Sequence, residues 1–309
     1  MSRQTDAILD LCRTLPPART AIVHPVRANV IEAAQEAARG GLIVPVLVGP
    51  AARIAEAAAA AEIDIAGWEV VDTEHSHAAA ARAAELAAGR HVDAIMKGAL
   101  HTDELLGAIV GASSGLRTER RISHAYLMSI ATYPKPFVIT DAAVNILPDL
   151  VAKADIVQNA VDLWRVVFGE AVPPKVAVLA AVETVNPKMQ ATLDAAALCK
   201  MADRGQITGC LIDGPLALDN AISRAAAREK GIVSQVAGDA DILVVPDIEA
   251  GNMLAKQLTF LGGAEAAGIV LGARVPVILT SRADDERARL LSSALAVLVA
   301  DARARGVIK

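Results

Sequence analysis

Ala21-Ile22-Val23, an Asn29–Arg39 segment rich in Ala, Glu, Gln and Arg, and Leu42-Ile43-Val44-Pro45-Val46-Leu47-Val48-Gly49 follow one another without a break. A short β-branched run, a helical segment closed by Gly40-Gly41 and a second apolar run form a strand–helix–strand unit. The rhythm continues outward. An alanine-rich segment spans 51–61, Trp68-Glu69-Val70-Val71 follows, a helix is predicted over 77–88, and Val92-Asp93-Ala94-Ile95-Met96 closes the series. Strands joined by helices at this spacing predict an α/β fold with a largely parallel sheet. Gly40 and Gly89 fit helix C-caps, where a positive φ is expected.

The middle of the chain has another texture. Residues 111–124 are small, polar and basic and are expected to form a loop or connecting arm. Beyond them the pattern predicts a strand at Phe137–Asp141, a helix to about 168 and a strand at Val176–Ala181. A helix over 188–203, a strand Cys210–Gly214 ending in a turn, and a helix over 219–229 come next. A strand at 242–246, a helix over 252–261, two strand-like runs at 268–271 and 275–279, and a closing helix over 284–304 complete the chain. No low-complexity linker interrupts it. Two domains are therefore expected to exchange the chain through strands and short turns: 1–140 plus 276–309, and 141–275.

Composition excludes several function classes. Of the 309 residues 54% are hydrophobic and 21% charged, enough for a large core. Aromatics are only 2% and the net charge is −5, so neither a base-stacking surface nor a basic field favours a nucleic-acid partner. No apolar run approaches the ~18 residues of a membrane span. Cys12, Cys199 and Cys210 are odd in number and far apart, which argues against disulfides and a zinc site. Met1–Asp6 lead into a polar helical pattern and not into a signal-peptide core, so a cytoplasmic location is expected.

Ligands of open α/β sheets bind beyond the carboxyl ends of strands. Five predicted strands end in polar, turn-rich clusters: Lys97–Asp103, Thr140–Asn145, Asp213–Leu216, Pro246–Asn252 and Thr280–Asp285. One such cluster is ordinary turn chemistry; their repetition at one topological end favours a site. Thr280-Ser281-Arg282 offers a hydroxyl, a guanidinium and free N–H groups to an anion, or else a helix cap with an exposed arginine. Asp284 and Asp285 stand close enough to act as a base, or merely complement a helix dipole. Lys97 reads equally as a phosphate contact or a surface lysine. Arg117, Arg120 and Arg121 form the densest basic cluster, either a solvated face or a pocket for a phosphorylated ligand. No P-loop, GxGxxG or GxSxG motif follows a strand. His75/His77 and His101/Asp103 lack metal-site spacing, so no metal is expected.

The series Met96–Asp103, Arg121-Ile122-Ser123-His124, Thr140–Asn145, Pro174–Leu179, Gly238–Asn252, Lys256, Gly272–Pro276 and Ser281-Arg282 resembles the phosphate acetyl/butyryl transferase family, in the family's order. The likeness runs from about residue 15 onward, and Arg121–His124, Asp213–Pro215 and Thr280–Arg282 look closer to the butyryl branch. The resemblance implies a two-domain, three-layer α/β/α fold related to isocitrate and isopropylmalate dehydrogenases, with its site between the domains, usually in a homodimer. It implies acyl transfer between coenzyme A and inorganic phosphate in a ternary complex, with acyl-CoA as a substrate and no cofactor. Ser281 and Arg282 match the family's Ser-Arg pair, Lys256 its helix lysine and Ser123 its arm serine. Lys97, Asn145 and Asn252 join them as expected substrate contacts. Where acetyl-type members carry a catalytic aspartate, this chain has Ala288, which turns attention to Asp284 or Asp285. Two rivals stay open. One is a metal- and nicotinamide-dependent dehydrogenase of the same fold, using Asp213, Asp241 and Asp247. The other is an acyl-CoA or acyl-phosphate binding protein without catalysis, motivated by Ala288.

Overall fold

The computed structural model describes residues 3–279 and 285–308. Helix α1 (Arg3–Cys12) leads into three strand–helix pairs: β1 (Ala18–Val23) with α2 (Ala28–Arg39), β2 (Ile43–Gly49) with α3 (Ala51–Ala60), and β3 (Glu69–Asp72) with α4 (Ser76–Ala88). β4 (Ala94–Lys97) and α5 (Thr102–Val110) complete this stretch. β1 pairs in parallel with β2 and β4, and β2 with β3. The helices can lie close to the sheet because their buried faces are small: Ala79, Ala80, Ala83, Ala84 and Ala87 on α4, and Ala33, Ala34 and Ala37 on α2. Gly98 must be glycine for the same reason of close approach. A Cβ there would lie 2.1 Å from the backbone oxygen of Val23.

The middle arm is strand sooner than its polarity suggests. β5 (Ser123–Ser129) runs antiparallel to β6 (Phe137–Thr140), with Ala125 opposite Thr140. This corrects the expected loop through residue 124. Ser123 and His124 are both 1% exposed, and a strand buried on both faces shows no polar–apolar alternation to betray it. There follow α6 (Leu150–Phe168), β7 (Lys175–Leu179), α7 (Gln190–Asp203) and β8 (Leu211–Leu216). β8 continues through Asp213-Gly214, so the expected turn is absent; a register shift against Ala177–Leu179 accommodates it. The expected helix over 219–229 is two, α8 (Leu218–Ile222) and α9 (Arg224–Glu229), because Ser223 is extended and caps α9 through Ala226 N. β9 (Ile242–Val244) and α10 (Ile248–Phe260) complete this part, where β6, β9, β7 and β8 run parallel. β10 (Glu265–Leu271), β11 (Val277–Ile278) and α11 (Glu286–Ala304) return to the first series, β11 lying antiparallel to β10 and parallel to β4.

Two compact units result. One comprises Asp6–Arg120 and the chain from Ala267, with strand order β3-β2-β1-β4-β11-β10; the other is Arg121–Ala266 with the chain start through Thr5, ordered β5-β6-β9-β7-β8. The crossings fall at Arg120/Arg121 and Ala266/Ala267, ahead of the 140/141 and 275/276 positions expected from sequence. The earlier first crossing follows from β5, which pairs with β6 and travels with it. Gly40 and Gly89 are the C-caps expected of them, but the expected positive φ is corrected. Gly40 and Gly89 have φ of −69° and −77°, while the left-handed residues are the next ones, Gly41 at 71° and Arg90 at 58°. Each helix turns over one residue past its cap.

In the central unit the amino ends of β6, β7 and β9 are tied by charge. Lys135 Nζ reaches Asp241 Oδ1 at 2.5 Å and Asp239 Oδ1 at 3.0 Å, and Lys175 Nζ reaches Asp239 Oδ2 at 2.5 Å. Burial would raise the Asp239 carboxyl, but Lys175 and Lys135 outweigh it and hold it at about 2. This network lies at the end of the strands opposite to where ligands bind in such sheets.

Candidate functional site

In the central unit, the carboxyl ends of β6 and β9 are joined by the segments that follow them. Val245 N donates to Thr140 O at 2.8 Å, and Ile248 N to Ile146 O at 3.0 Å. Asp247 caps α10 by accepting from Ala250 N at 2.8 Å. One turn on, Gly251 lets α10 settle on the loop after β6; a Cβ there would stand 3.0 Å from Asp141 O and 2.7 Å from a Val245 methyl. Asn252 Nδ2 then donates to Ala142 O at 3.2 Å. Lys256 follows Asn252 by four residues, hence on the same helical face, and is exposed.

Asp141 organises the loop itself. Its Oδ1 accepts from Ala143 N and Val144 N at 2.9 and 3.0 Å, and its Oδ2 from Asn145 N and Asn145 Nδ2 at 3.1 and 2.6 Å. The Asn145 amide is fully engaged: Nδ2 also donates to Ile122 O at 2.9 Å, and Oδ1 accepts from Arg121 Nε at 2.5 Å. Ser123 Oγ accepts from Asn159 Nδ2 at 2.9 Å, and the same amide holds Arg121 O at 2.9 Å. Three expected contacts, Ser123, Asn145 and Asn252, thus come together. Ser123 and Asn145, 1% and 4% exposed, support the frame and do not face solvent. Asp141 lies in a strand-end cluster and Arg121 in the basic cluster that the sequence raised as a solvated face or a phosphate pocket, but neither was given a role of its own. Asn159 was missed as well. Its only signal is a polar residue on the apolar stripe of α6 formed by Ala152, Ile156, Ala160 and Leu163.

The terminal unit holds the other expected residues. Lys97 is the last residue of β4, and β11 aligns Ile278 with Met96, so the chain leaves both strands at one end. The segment entered there contains Ser281, Arg282 and Asp284, which lie outside the described residues. Asp285 is the N-cap of α11, its Oδ1 accepting from Ala288 N at 2.8 Å. The carboxylate trio of the dehydrogenase alternative does not converge. Asp241 precedes β9 and is bound to Lys135, whereas Asp247 lies beyond the strand's other end at the cap of α10. Among the described residues, no three His, Cys, Asp or Glu side chains are placed to hold a metal. No helix among them is long and apolar enough to cross a membrane.

Residues 77–297 match the phosphate acetyl/butaryl transferase family. The chain belongs to that family. It is 59% identical over 285 residues to the phosphate acetyltransferase of Rickettsia prowazekii (strain Madrid E), covering 92% of this chain and 81% of the relative. It is 39% identical over 300 residues to the phosphate butyryltransferase of Clostridium beijerinckii, covering 97% and 99%. The structure resembles a branched-chain phosphotransacylase from Enterococcus faecalis V583, with a TM-score of 0.78 at 28% identity, over 91% of this chain and 99% of that one. The span matched to the phosphate acetyl/butaryl transferases takes in every residue expected to touch substrate.

Two features of this transferase bear on its chemistry. Burial raises the thiols of Cys12 and Cys199 to about 12 and of Cys210 to about 11, so none is poised as a nucleophile. His124, packed edge-on to Tyr126 with ring centres 4.2 Å apart, has no partner for Nδ1 among the described residues. Burial lowers its pKa to about 4, only partly opposed by Asp141. The unfolded chain therefore binds more protons than the folded one between about pH 6.5 and about pH 4. This contribution is complete above that window and is lost as pH falls through it. Urea midpoints at about pH 7.5 and about pH 5 should show the loss, and His124→Gln should flatten the difference. An unchanged slope in that variant would place the titrating group elsewhere.

Proposed function

We propose that this chain moves a short acyl group, acetyl or butyryl, between coenzyme A and inorganic phosphate within a ternary complex. The observation that carries the reading is the 59% identity, over 92% of the chain, to a phosphate acetyltransferase. In the forward direction a phosphate oxygen attacks the thioester carbon and the C–S bond breaks. Acyl phosphate and the coenzyme A thiolate leave, and the thiolate takes up a proton. Arg282 neutralises the phosphate and then the tetrahedral oxyanion, and Ser281 donates a hydrogen bond to the same group. In reverse, a base takes the thiol proton. The raised cysteine thiols support direct transfer over an acyl-cysteine intermediate. The same reading gives a cytoplasmic homodimer that binds acyl-CoA and phosphate.

Thiol release from acetyl-, propionyl- and butyryl-CoA, with and without phosphate, tests the reaction. Phosphate-dependent release is expected. Binding of acyl-CoA without release from any of them would favour the binding-protein alternative.

The base is narrowed by the cap. The Asp285 carboxylate already accepts from Ala288 N, so we assign the proton transfer to Asp284. Asp284→Asn should lower kcat by about 10²-fold or more. Asp285→Asn should stay within about threefold, because asparagine caps a helix about as well as aspartate. Equal kcat values for the two variants would put the base at another residue.

A further inference from the structure

Arg121 is exposed, yet it is anchored like an interior residue. Its N–H donates to Asp155 Oδ2 at 2.9 Å, and its carbonyl accepts from Asn159 Nδ2 at 2.9 Å, both from α6 and one helical turn apart. Its Nε donates to Asn145 Oδ1 at 2.5 Å. Asn145 cannot turn away. Its Nδ2 serves Asp141 Oδ2 and Ile122 O, so a flipped amide would set oxygen against oxygen twice. Asp141 is itself 3% exposed and held by backbone N–H groups. Nε is therefore committed, whereas the terminal nitrogens of the guanidinium have no partner among the described residues. Surface arginines ordinarily keep their side-chain freedom, and immobilising one forfeits rotamer entropy. The buried pair Asp141 and Asn145 immobilises Arg121 in advance, at the carboxyl end of β6.

Resting on the acyl-transfer reading, the geometry points to Arg121 as a further anion-binding residue of that site, taking phosphoryl oxygens with its two terminal nitrogens. Asn145 and Asp141 are its positioning residues. A guanidinium held through Nε offers its outer edge as a fork that matches two phosphoryl oxygens. Both inorganic phosphate and the phosphates of coenzyme A carry that chemistry.

The test measures KM for phosphate with acetyl-CoA, and KM for coenzyme A with acetyl phosphate, in wild type, Arg121→Ala and Arg121→Lys. For the alanine variant, KM for one substrate should rise about 10- to 100-fold, by more than kcat falls. Lysine keeps the charge but lacks Nε and should recover only part of the loss. Added guanidinium ion should partly restore the alanine variant, a response that a purely structural role would not show. A rise confined to phosphate identifies inorganic phosphate. A rise for coenzyme A that disappears with dephospho-coenzyme A identifies the 3′-phosphate, and one that persists identifies the pyrophosphate. Lys200→Ala, which removes an exposed lysine paired with Asp203, should leave both KM values unchanged. KM values within about twofold of wild type for both substrates in Arg121→Ala would overturn the assignment, as would a loss confined to kcat. If wild type releases no thiol from any acyl-CoA, the acyl-transfer reading fails first. Calorimetric titration of wild type and Arg121→Ala with coenzyme A and with phosphate then decides the anion site: tenfold weaker binding in the variant supports it, and equal or absent binding rejects it.

Discussion

Arg282→Ala is expected to lower kcat for acyl transfer by about 10²- to 10³-fold, the loss typical of removing one oxyanion donor. The expectation rests on sequence. Arg282 follows Ser281 a few residues beyond β11, at a strand end where ligands bind in such sheets, and the pair matches the family's Ser-Arg. The developing oxyanion needs a fixed positive charge, and a net charge of −5 supplies none through the overall field. Stability should change little. The downstream helix α11 is held by its own cap at Asp285 and by buried Leu291, Leu295, Val297 and Val299. Thiol release at saturating substrate, beside the thermal midpoint of the same preparation, checks both halves. Turnover within about threefold of wild type would remove Arg282 from the chemistry, and a large fall in midpoint would make the loss one of folding.

The second large effect is on stability. Lys153 on α6 and Asp194 on α7 form an ion pair at 2.6 Å, with side chains 6% and 7% exposed. Asp194 Oδ1 accepts a further bond from Gln190 Nε2 at 2.8 Å. Removing either partner leaves the other charge buried and uncompensated, so Lys153→Met and Asp194→Leu should each cost about 3–5 kcal/mol. The double replacement should recover most of that loss, because two apolar chains of similar size need no charge compensation. Urea denaturation of the two single variants and the double variant completes the cycle. A double variant destabilised by the sum of the singles would show that Lys153 and Asp194 act separately.

The strand–helix rhythm over 18–97 was legible because β1, β2 and β4, largely buried on both faces, read as apolar runs, and alanine-rich segments have few other conformations to prefer. β5 was not legible. Ser123 and His124 are polar residues buried where β5 meets β6 and α6, through bonds from Thr140 and Asn159, and no pattern within the strand itself carries that information. The left-handed residues lie one position past the glycine caps for a similar reason. Where a helix needs its left-handed residue depends on the turn that follows, and Arg90 takes that conformation without being glycine. Site residues were legible as types and less so as roles. Asn145 stood out as a polar residue beyond a strand and Ser123 through the family resemblance, yet their atoms are spent on Asp141, Arg121, Ile122 and Asn159.

The strand–helix–strand series opening at Ala21-Ile22-Val23 determined the α/β class by itself, and the ordered motifs from Met96 to Arg282 determined the family. Both follow from local preference and residue identity along the chain, and neither requires knowing what packs against what. Only the tertiary structure decided which polar residues face inward, where the two units exchange the chain, and that an exposed arginine is locked by a buried amide and carboxylate. Those outcomes depend on burial and on hydrogen bonds between residues such as Arg121, Asn145 and Asn159, which become neighbours only when the sheet and α6 assemble.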